Sequence, residues 1–301
     1  MLNQDQKPPF QAGLSGLSTM STPAREFDFT QQDFEKIRKL IYDYAGIALS
    51  PAKHDMVYGR LAKRLRALHL HTFNEYLKVL ERGDSKEMEL FTNSLTTNLT
   101  SFFRESHHFD ILADYLRGHR SVGTLNLWCS ASSTGEEPYS LAITACEAFD
   151  TLRPPVKIIA TDLDTNVLET AKAGLYAAEE VEKLGSVRVK RFFDKHASGK
   201  YQAKQELRDM IVYRKLNLIS QDWLIRGPMD AIFCRNVMIY FDKPTQLKIL
   251  QRFAPLLKPE GLLYVGHSEN LYHAADLFKL RGKTVYELAK PGGAPPSLLT
   301  R

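Results

Sequence analysis

Between residues 28 and 93 the apolar positions recur every three to four residues. Phe34, Ile37, Leu40, Ile41 and Tyr44 form one stripe, the spacing of a helix that buries a single face. Thr30, with Asp33 three residues on, supplies a capping box, and Gly46 ends the helix. Ser50-Pro51 opens a second helix with a cap followed by a proline. Thr72 and Glu75 cap a third, which stops at Gly83. This pattern predicts a small all-α domain over 26–93, too small to bury a large core by itself. The preceding segment, 1–25, is rich in Ser, Gly, Pro and Gln without periodicity and reads as a disordered tail.

From Thr124 onward the texture changes. Short apolar runs at Leu125–Cys129, Val156–Thr161, Ile211–Leu216, Asp230–Cys234, Gly261–Gly266 and Thr284–Leu288 predict strands. Helices are predicted around Glu137–Phe149, Asn166–Ala173, Thr245–Leu257 and Asn270–Leu277. The alternation predicts an α/β, doubly wound, Rossmann-like sheet over 107–301. A short helix and the pair Arg281-Gly282 separate the last two strands, which predicts a final strand inserted antiparallel. Residues 187–213 break the alternation; β-prone pieces around the turn His196–Gly199 predict a helix plus a small antiparallel flap. Residues 94–106 read as a linker.

Composition narrows the class. Hydrophobic content of 44% and charged content of 25% are those of an ordinary soluble globular protein. No run approaches the roughly 18 apolar residues of a membrane span, and the first residues have no apolar signal core, so a cytoplasmic protein without membrane insertion is expected. Cys129, Cys146 and Cys234 form no CxxC pair and read as small buried hydrophobes. No metal is expected. A net charge of +5 permits an acidic partner without demanding nucleic acid.

The densest chemistry lies in Asn126–Ser140, NLWCSASSTGEEPYS. A strand, a turn of small residues and a helix start form the first unit of a nucleotide-type binding sheet. A phosphate cradle wants lysine or bare amides at the helix start, whereas this turn offers Glu136 and Glu137. Carboxylates suit a ligand with a ribose and an ammonium group, which points to S-adenosylmethionine (SAM) over NAD or ATP. Asp162, at the end of the second strand, is placed to accept hydrogen bonds from ribose hydroxyls; Asp164 or Thr165 can cap the next helix instead. Asn217-Leu218 leaves the third strand where such sheets meet adenine, a pattern an ordinary strand exit shares. Arg235-Asn236 follows the fourth strand at the opening of the crevice, with Tyr240 within reach or buried as a core aromatic. In Thr96–Arg104, the residues Asn98, Thr100 and Arg104 either face that crevice or belong to an interdomain linker. On the second helix, Lys53, Arg60, Lys63 and Arg64 crowd one arc beside the apolar face of Val57, Leu61, Leu65 and Leu68. That basic stripe is either a solvated face or a dock for an acidic helix.

Taken together, TTNLTSFFRE, SASSTGEEPYSLA, ATDLDTNVLETA, CRNVMIYFDKPTQ and LLKPEGLLYVGHSE closely resemble the CheR family, the chemotaxis receptor methyltransferases, over about residues 28–290. The resemblance implies methyl transfer from SAM, leaving S-adenosylhomocysteine, to glutamate side chains on the cytoplasmic methylation helices of chemoreceptors. It implies a cofactor site of Asn98, Thr100, Arg104, Glu137, Asp162, Asn217, Leu218, Arg235 and Asn236, and docking through the basic second helix. Two departures stand out. The turn carries only Gly135 where methyltransferases commonly have several glycines, so Ala131, Ser132 and Ser133 must adopt allowed angles. Some family members use a longer flap loop to bind a receptor pentapeptide; the turn Asp194–Ala203 here is short, which argues against that tether.

Glutamate is ionised at neutral pH, with a reference pKa near 4.3, so no general base is required. Positioning by Arg104 and Tyr240 is the expected catalytic contribution. Two rival functions are a nucleic-acid methyltransferase and a SAM-sensing module without activity. The first typically carries an Asn/Asp-Pro-Pro-aromatic motif, whereas this chain reads Arg235-Asn236-Val237-Met238.

Overall fold

The structure is a computed structural model that describes residues 25–121 and 123–289. Of the segment read as a tail, only Arg25 is within the described residues.

The N-terminal part is all α. Helix α1 (Gln31–Ala45) starts at the Thr30–Asp33 capping box and ends at Gly46, whose φ of 72° is the left-handed value a glycine accepts without strain. Ser50-Pro51 opens a 3₁₀ turn before helix α2 (His54–Ala67). Helix α3 (Phe73–Glu81) carries the Thr72–Glu75 capping box. Helix α4 (Ser85–Leu95), capped by Asp84, was not separated from its neighbours by periodicity. Phe34, Ile37, Ile41, Val57, Leu61 and Leu65 are fully buried in their shared core.

Helix α5 (His107–Gly118) leads into the second part. There β1 (Leu125–Cys129), α6 (Glu136–Phe149), β2 (Val156–Asp162) and α7 (Thr165–Ala173) alternate as expected. Then come β3 (Leu175–Tyr176), α8 (Ala178–Glu182), α9 (Ser186–Phe192), β4 (Phe193–Lys195), β5 (Tyr201–Ala203), α10 (Gln205–Asp209) and β6 (Ile211–Lys215). Strand β7 (Met229–Cys234), α11 (Lys243–Phe253), β8 (Leu257–Val265), β9 (Phe278–Gly282) and β10 (Val285–Leu288) complete the chain. Among the described residues the main sheet has the order β6-β2-β1-β7-β8-β10-β9. Its strands from β6 to β8 are parallel, and β10 runs antiparallel to both neighbours. This is a doubly wound, Rossmann-like sheet preceded by a small all-α domain. Strand order reverses between β1 and β7, the place where such a sheet opens a crevice at its carboxyl ends.

Three expectations are corrected. The span 270–277 holds only the 3₁₀ turn Tyr272–Ala274; Phe278–Gly282 is a strand in a hairpin with β10. The helix expected to Leu257 ends at Phe253, because Pro255 sits in a 3₁₀ turn and Leu257 begins β8. The flap does not extend to residue 213. It is a three-stranded antiparallel sheet of β3, β5 and β4, while Ile211–Lys215 pairs in parallel with β2 as the edge of the main sheet. Ile211 is buried against that sheet and the intervening α10 ends the flap, so the two β-prone stretches belong to different sheets.

Hydrogen bonds join the two parts. Asn217 Nδ2 donates to the Tyr44 carbonyl at 2.6 Å, Ala48 N–H to the Tyr240 carbonyl at 2.8 Å, and the Tyr42 hydroxyl to Asp242 at 2.8 Å. No helix of the described residues is long and apolar enough to cross a membrane.

Candidate active site

The turn after β1 depends on one glycine. Gly135 has φ 104°, and a Cβ there would meet the Tyr176 hydroxyl at 2.5 Å and the Ala171 Cβ at 2.8 Å. Ser133 also takes a left-handed φ, 48°, held by its N–H to Asp162 Oδ2 at 2.8 Å and its hydroxyl to the Asn98 carbonyl at 2.9 Å. A side chain therefore stands where a glycine was expected, because its polar groups are bonded in that conformation.

This turn, the exits of β2, β6 and β7, the 96–104 segment and the 45–56 segment of the helical domain enclose a cavity of about 410 Å³. Asn98, Thr100, Arg104, Glu137, Asp162, Asn217, Leu218, Arg235, Asn236 and Tyr240 all line it. Residues up to 162 and beyond 217 thus meet in one space.

Arg235 is only 5% exposed. Its Nη1 donates to Glu137 Oε2 at 2.8 Å, its Nη2 lies 3.4 Å from Glu105 Oε2, and Nη2 also donates to the Arg104 carbonyl. A buried cation needs such partners. Burial works to raise the Glu105 carboxyl, but hydrogen bonding with His267 and the Arg235 charge outweigh it and hold Glu105 at about 2. The Cys129 thiol, buried and pushed well up, donates to Glu137 Oε1 at 3.2 Å. Asp162 accepts from Ser133 N–H and, at 3.0 Å, from Asp164 N–H. Burial still raises its carboxyl to about 6. Asp164, not Asp162, caps α7.

The turn is less acidic toward the cavity than its sequence suggests. Glu136 is buried and turned toward the Thr134 hydroxyl, 2.7 Å away, leaving Glu137 as the carboxylate of the pair that lines the cavity. Glu137 in turn carries Arg235 as its counter-ion. Such a pair presents both signs and suits a zwitterionic amino-acid end better than a phosphate. Asp162 uses two of its roughly four acceptor positions on backbone, leaving capacity for a diol. Both observations fit SAM. For adenine, the Asn217 side chain is already committed to Tyr44 and, through Oδ1, to Ile219 N–H at 3.1 Å. These bonds use one of the amide's two N–H groups and one of its two lone pairs, so one of each is left for a further contact.

Residues 98–287 match the model of the CheR methyltransferase SAM-binding domain, and residues 32–96 match the CheR all-alpha domain. The chain belongs to the CheR methyltransferase family. Chemotaxis protein methyltransferase 2 of Pseudomonas aeruginosa is 49% identical over 281 residues, covering 89% of this chain and 99% of the relative. The chemotaxis protein methyltransferase of Escherichia coli is 50% identical over 261 residues, covering 85% and 91%. That of Klebsiella aerogenes is 47% identical over 277 residues, covering 91% and 95%. CheR membership makes the chain a SAM-binding methyltransferase, in agreement with the fit of the cavity.

The basic stripe divides. Arg64 pairs with the buried Glu87 through both nitrogen–oxygen contacts, 3.0 and 2.7 Å, and Glu87 also accepts the Tyr76 hydroxyl at 2.8 Å. Arg60 donates to the carbonyls of Ser94, Leu95 and Thr96 at the end of α4. Within the stripe read as a dock, the Arg60 and Arg64 guanidinium groups thus also hold α2 to α4. Lys53 and Lys63 are exposed, and Lys53 stands at the cavity rim.

Sequence reasoning missed the wall built by Ile47, Leu49 and Met56 of the helical domain. The apolar run after Gly46 was its only signal. Glu105, His107 and His108 bring three ligand-type atoms within 4.8 Å of one another. The Arg235 guanidinium beside Glu105 is already a cation there and opposes a second.

Proposed function

We propose that this chain transfers a methyl group from SAM to glutamate side chains on the cytoplasmic helices of chemoreceptors, forming methyl esters. The cavity that brings Glu137–Arg235, Asp162, Arg104 and Tyr240 together at the switch point carries this reading. The names of the relatives, chemotaxis protein methyltransferases, support the partner class.

Bound SAM supplies an electrophilic methyl group on a sulfonium. Asp162 accepts from the ribose hydroxyls, the Glu137–Arg235 pair matches the ammonium and carboxylate of the methionine end, and Leu218 packs on the adenine. Asn98, Thr100 and Asn236 line the remaining walls. The substrate carboxylate arrives ionised, so the protein has no proton to remove. Arg104 and Tyr240 orient it. The Arg104 Nη1 already donates to the Leu99 carbonyl at 2.9 Å, which limits how tightly it can clamp the nucleophile. Exclusion of water from the crevice favours a step in which opposite charges cancel. Lys53 and Lys63 attract the acidic helix.

The decisive experiment incubates the protein with methyl-labelled SAM and a receptor cytoplasmic fragment. Label on the fragment that mild base releases supports the reading. Label in RNA alone, or cofactor binding without transfer, overturns it.

A further inference from the structure

Glu269 lies in the turn after β8, outside the cavity, and is 6% exposed. Its carboxylate is spent on backbone. Oε2 accepts from Asn236 N–H at 3.0 Å and Gly266 N–H at 2.5 Å; Oε1 accepts from Ile239 N–H at 3.2 Å. Two of these donors belong to the segment 236–241, which carries both Asn236 and Tyr240. From the other side, the buried Gln246 amide donates to the carbonyls of Met238 at 2.8 Å and Phe241 at 3.0 Å. The segment has little regular structure of its own: a single 3₁₀ turn, Met238–Tyr240, after an Asn236 in the left-handed region at φ 57°. Its path is therefore held by side chains from two other places in the chain and, at the Tyr240 carbonyl, by the Ala48 N–H. Gly266 completes the fit, since a Cβ there would lie 2.3 Å from Asn236 Nδ2.

We propose that Glu269 is a positioning residue for methyl transfer, holding the Met238–Tyr240 turn so that Tyr240 stays at the cavity wall. The inference rests on the role given to Tyr240 above. The two oxygens divide the work. Oε2 ties Asn236 to the end of β8, and Oε1 is the oxygen that reaches the turn, through the Ile239 N–H. Glu269→Gln keeps one carbonyl oxygen for Asn236 and Gly266 but sets an NH₂ group against the Ile239 N–H. Two donors then face each other, and the turn shifts while the Asn236 side of the cavity stays in place.

The test compares native protein, Glu269→Gln, Tyr240→Phe and the double variant. It measures methyl transfer to a receptor fragment, calorimetric affinity for S-adenosylhomocysteine, and amide hydrogen exchange. Glu269→Gln is expected to lower turnover about tenfold with product affinity held within about threefold. Exchange should speed up at Ile239 and stay slow at Gly266. In the Tyr240→Phe background the same substitution should cost no more than about twofold, because both act through one side chain. Native-like turnover, equal loss of turnover and affinity, multiplying losses in the double variant, or unchanged exchange at Ile239 each overturns the proposal. Should Glu269→Gln not fold, Gln246→Met removes the opposite brace and must show the same split. Native protein that binds S-adenosylhomocysteine yet transfers no methyl overturns instead the functional reading on which the inference rests.

Discussion

Arg235 Nη1 and Glu137 Oε2 stand 2.8 Å apart, joining the exit of β7 to the first turn of α6 across the switch point of the sheet. Neither residue could be buried alone without a large penalty. Together they give the cavity a matched pair of charges at a helix start that looked purely acidic.

That pair should be sensitive to neutralising one member. Glu137→Gln leaves Arg235 with Glu105 as its remaining carboxylate and removes the partner for a ligand ammonium. Affinity for S-adenosylhomocysteine, measured by calorimetry, is expected to fall about tenfold or more. Unchanged affinity would remove Glu137 from the cofactor site.

Asp162 should make cofactor binding pH-dependent. Its carboxyl sits at about 6, raised by burial, and a protonated carboxyl accepts fewer hydrogen bonds. Cofactor affinity should therefore hold above pH 7 and decline below 6, approaching about tenfold per pH unit at the acid end. Asp162→Asn should bind weakly with a flat profile between pH 5 and about 7.5. A native profile as flat as the variant's would show that ionised Asp162 does not contact the ligand.

His108 supplies an acid-sensitive element of stability. Burial and the nearby Arg235 depress its pKa to about 4, and its Nε2 donates to the Lys283 carbonyl at 2.9 Å. The unfolded chain takes up a proton near pH 6.5 while the folded one resists until about 4, so stability is complete above 6.5 and declines as pH falls toward 4. The full difference is on the order of 3 kcal/mol. Urea titrations should show a smaller pH slope for His108→Gln than for the native protein; comparing the two cancels the opposite contribution of Asp162.

The basic helix should separate into structural and surface members. Arg64→Ala leaves Glu87 buried without its cation and is expected to cost about 3 kcal/mol in urea denaturation. Lys63→Ala should leave stability within about 0.5 kcal/mol. If Lys63 meets an acidic receptor helix, its removal slows association with a receptor fragment most at low salt.

Tyr240→Phe should lower turnover more than cofactor affinity, as read from single-turnover rates beside calorimetry. Equal losses in both would make Tyr240 a binding residue.

Local order determined much of what was legible in the chain. Capping boxes at Thr30 and Thr72, the stripe from Phe34 to Tyr44, and the alternating runs after Thr124 each specify an element through neighbours a few residues away. The order of chemistry-bearing residues at strand exits followed from the alternation, so Asp162 and Arg235 could be assigned to a crevice before any coordinates. What depended on distant partners could not be read this way. Whether Ile211–Lys215 completes the flap or the main sheet is decided by its pairing with β2. That Arg64 finds Glu87 is decided by how α2 lies against α4. The Asn217 side chain meets the Tyr44 carbonyl only because the helical domain packs on the sheet. Hydrogen-bond and charge partners are set by which surfaces meet, and periodicity records only that a surface is buried, not what buries it.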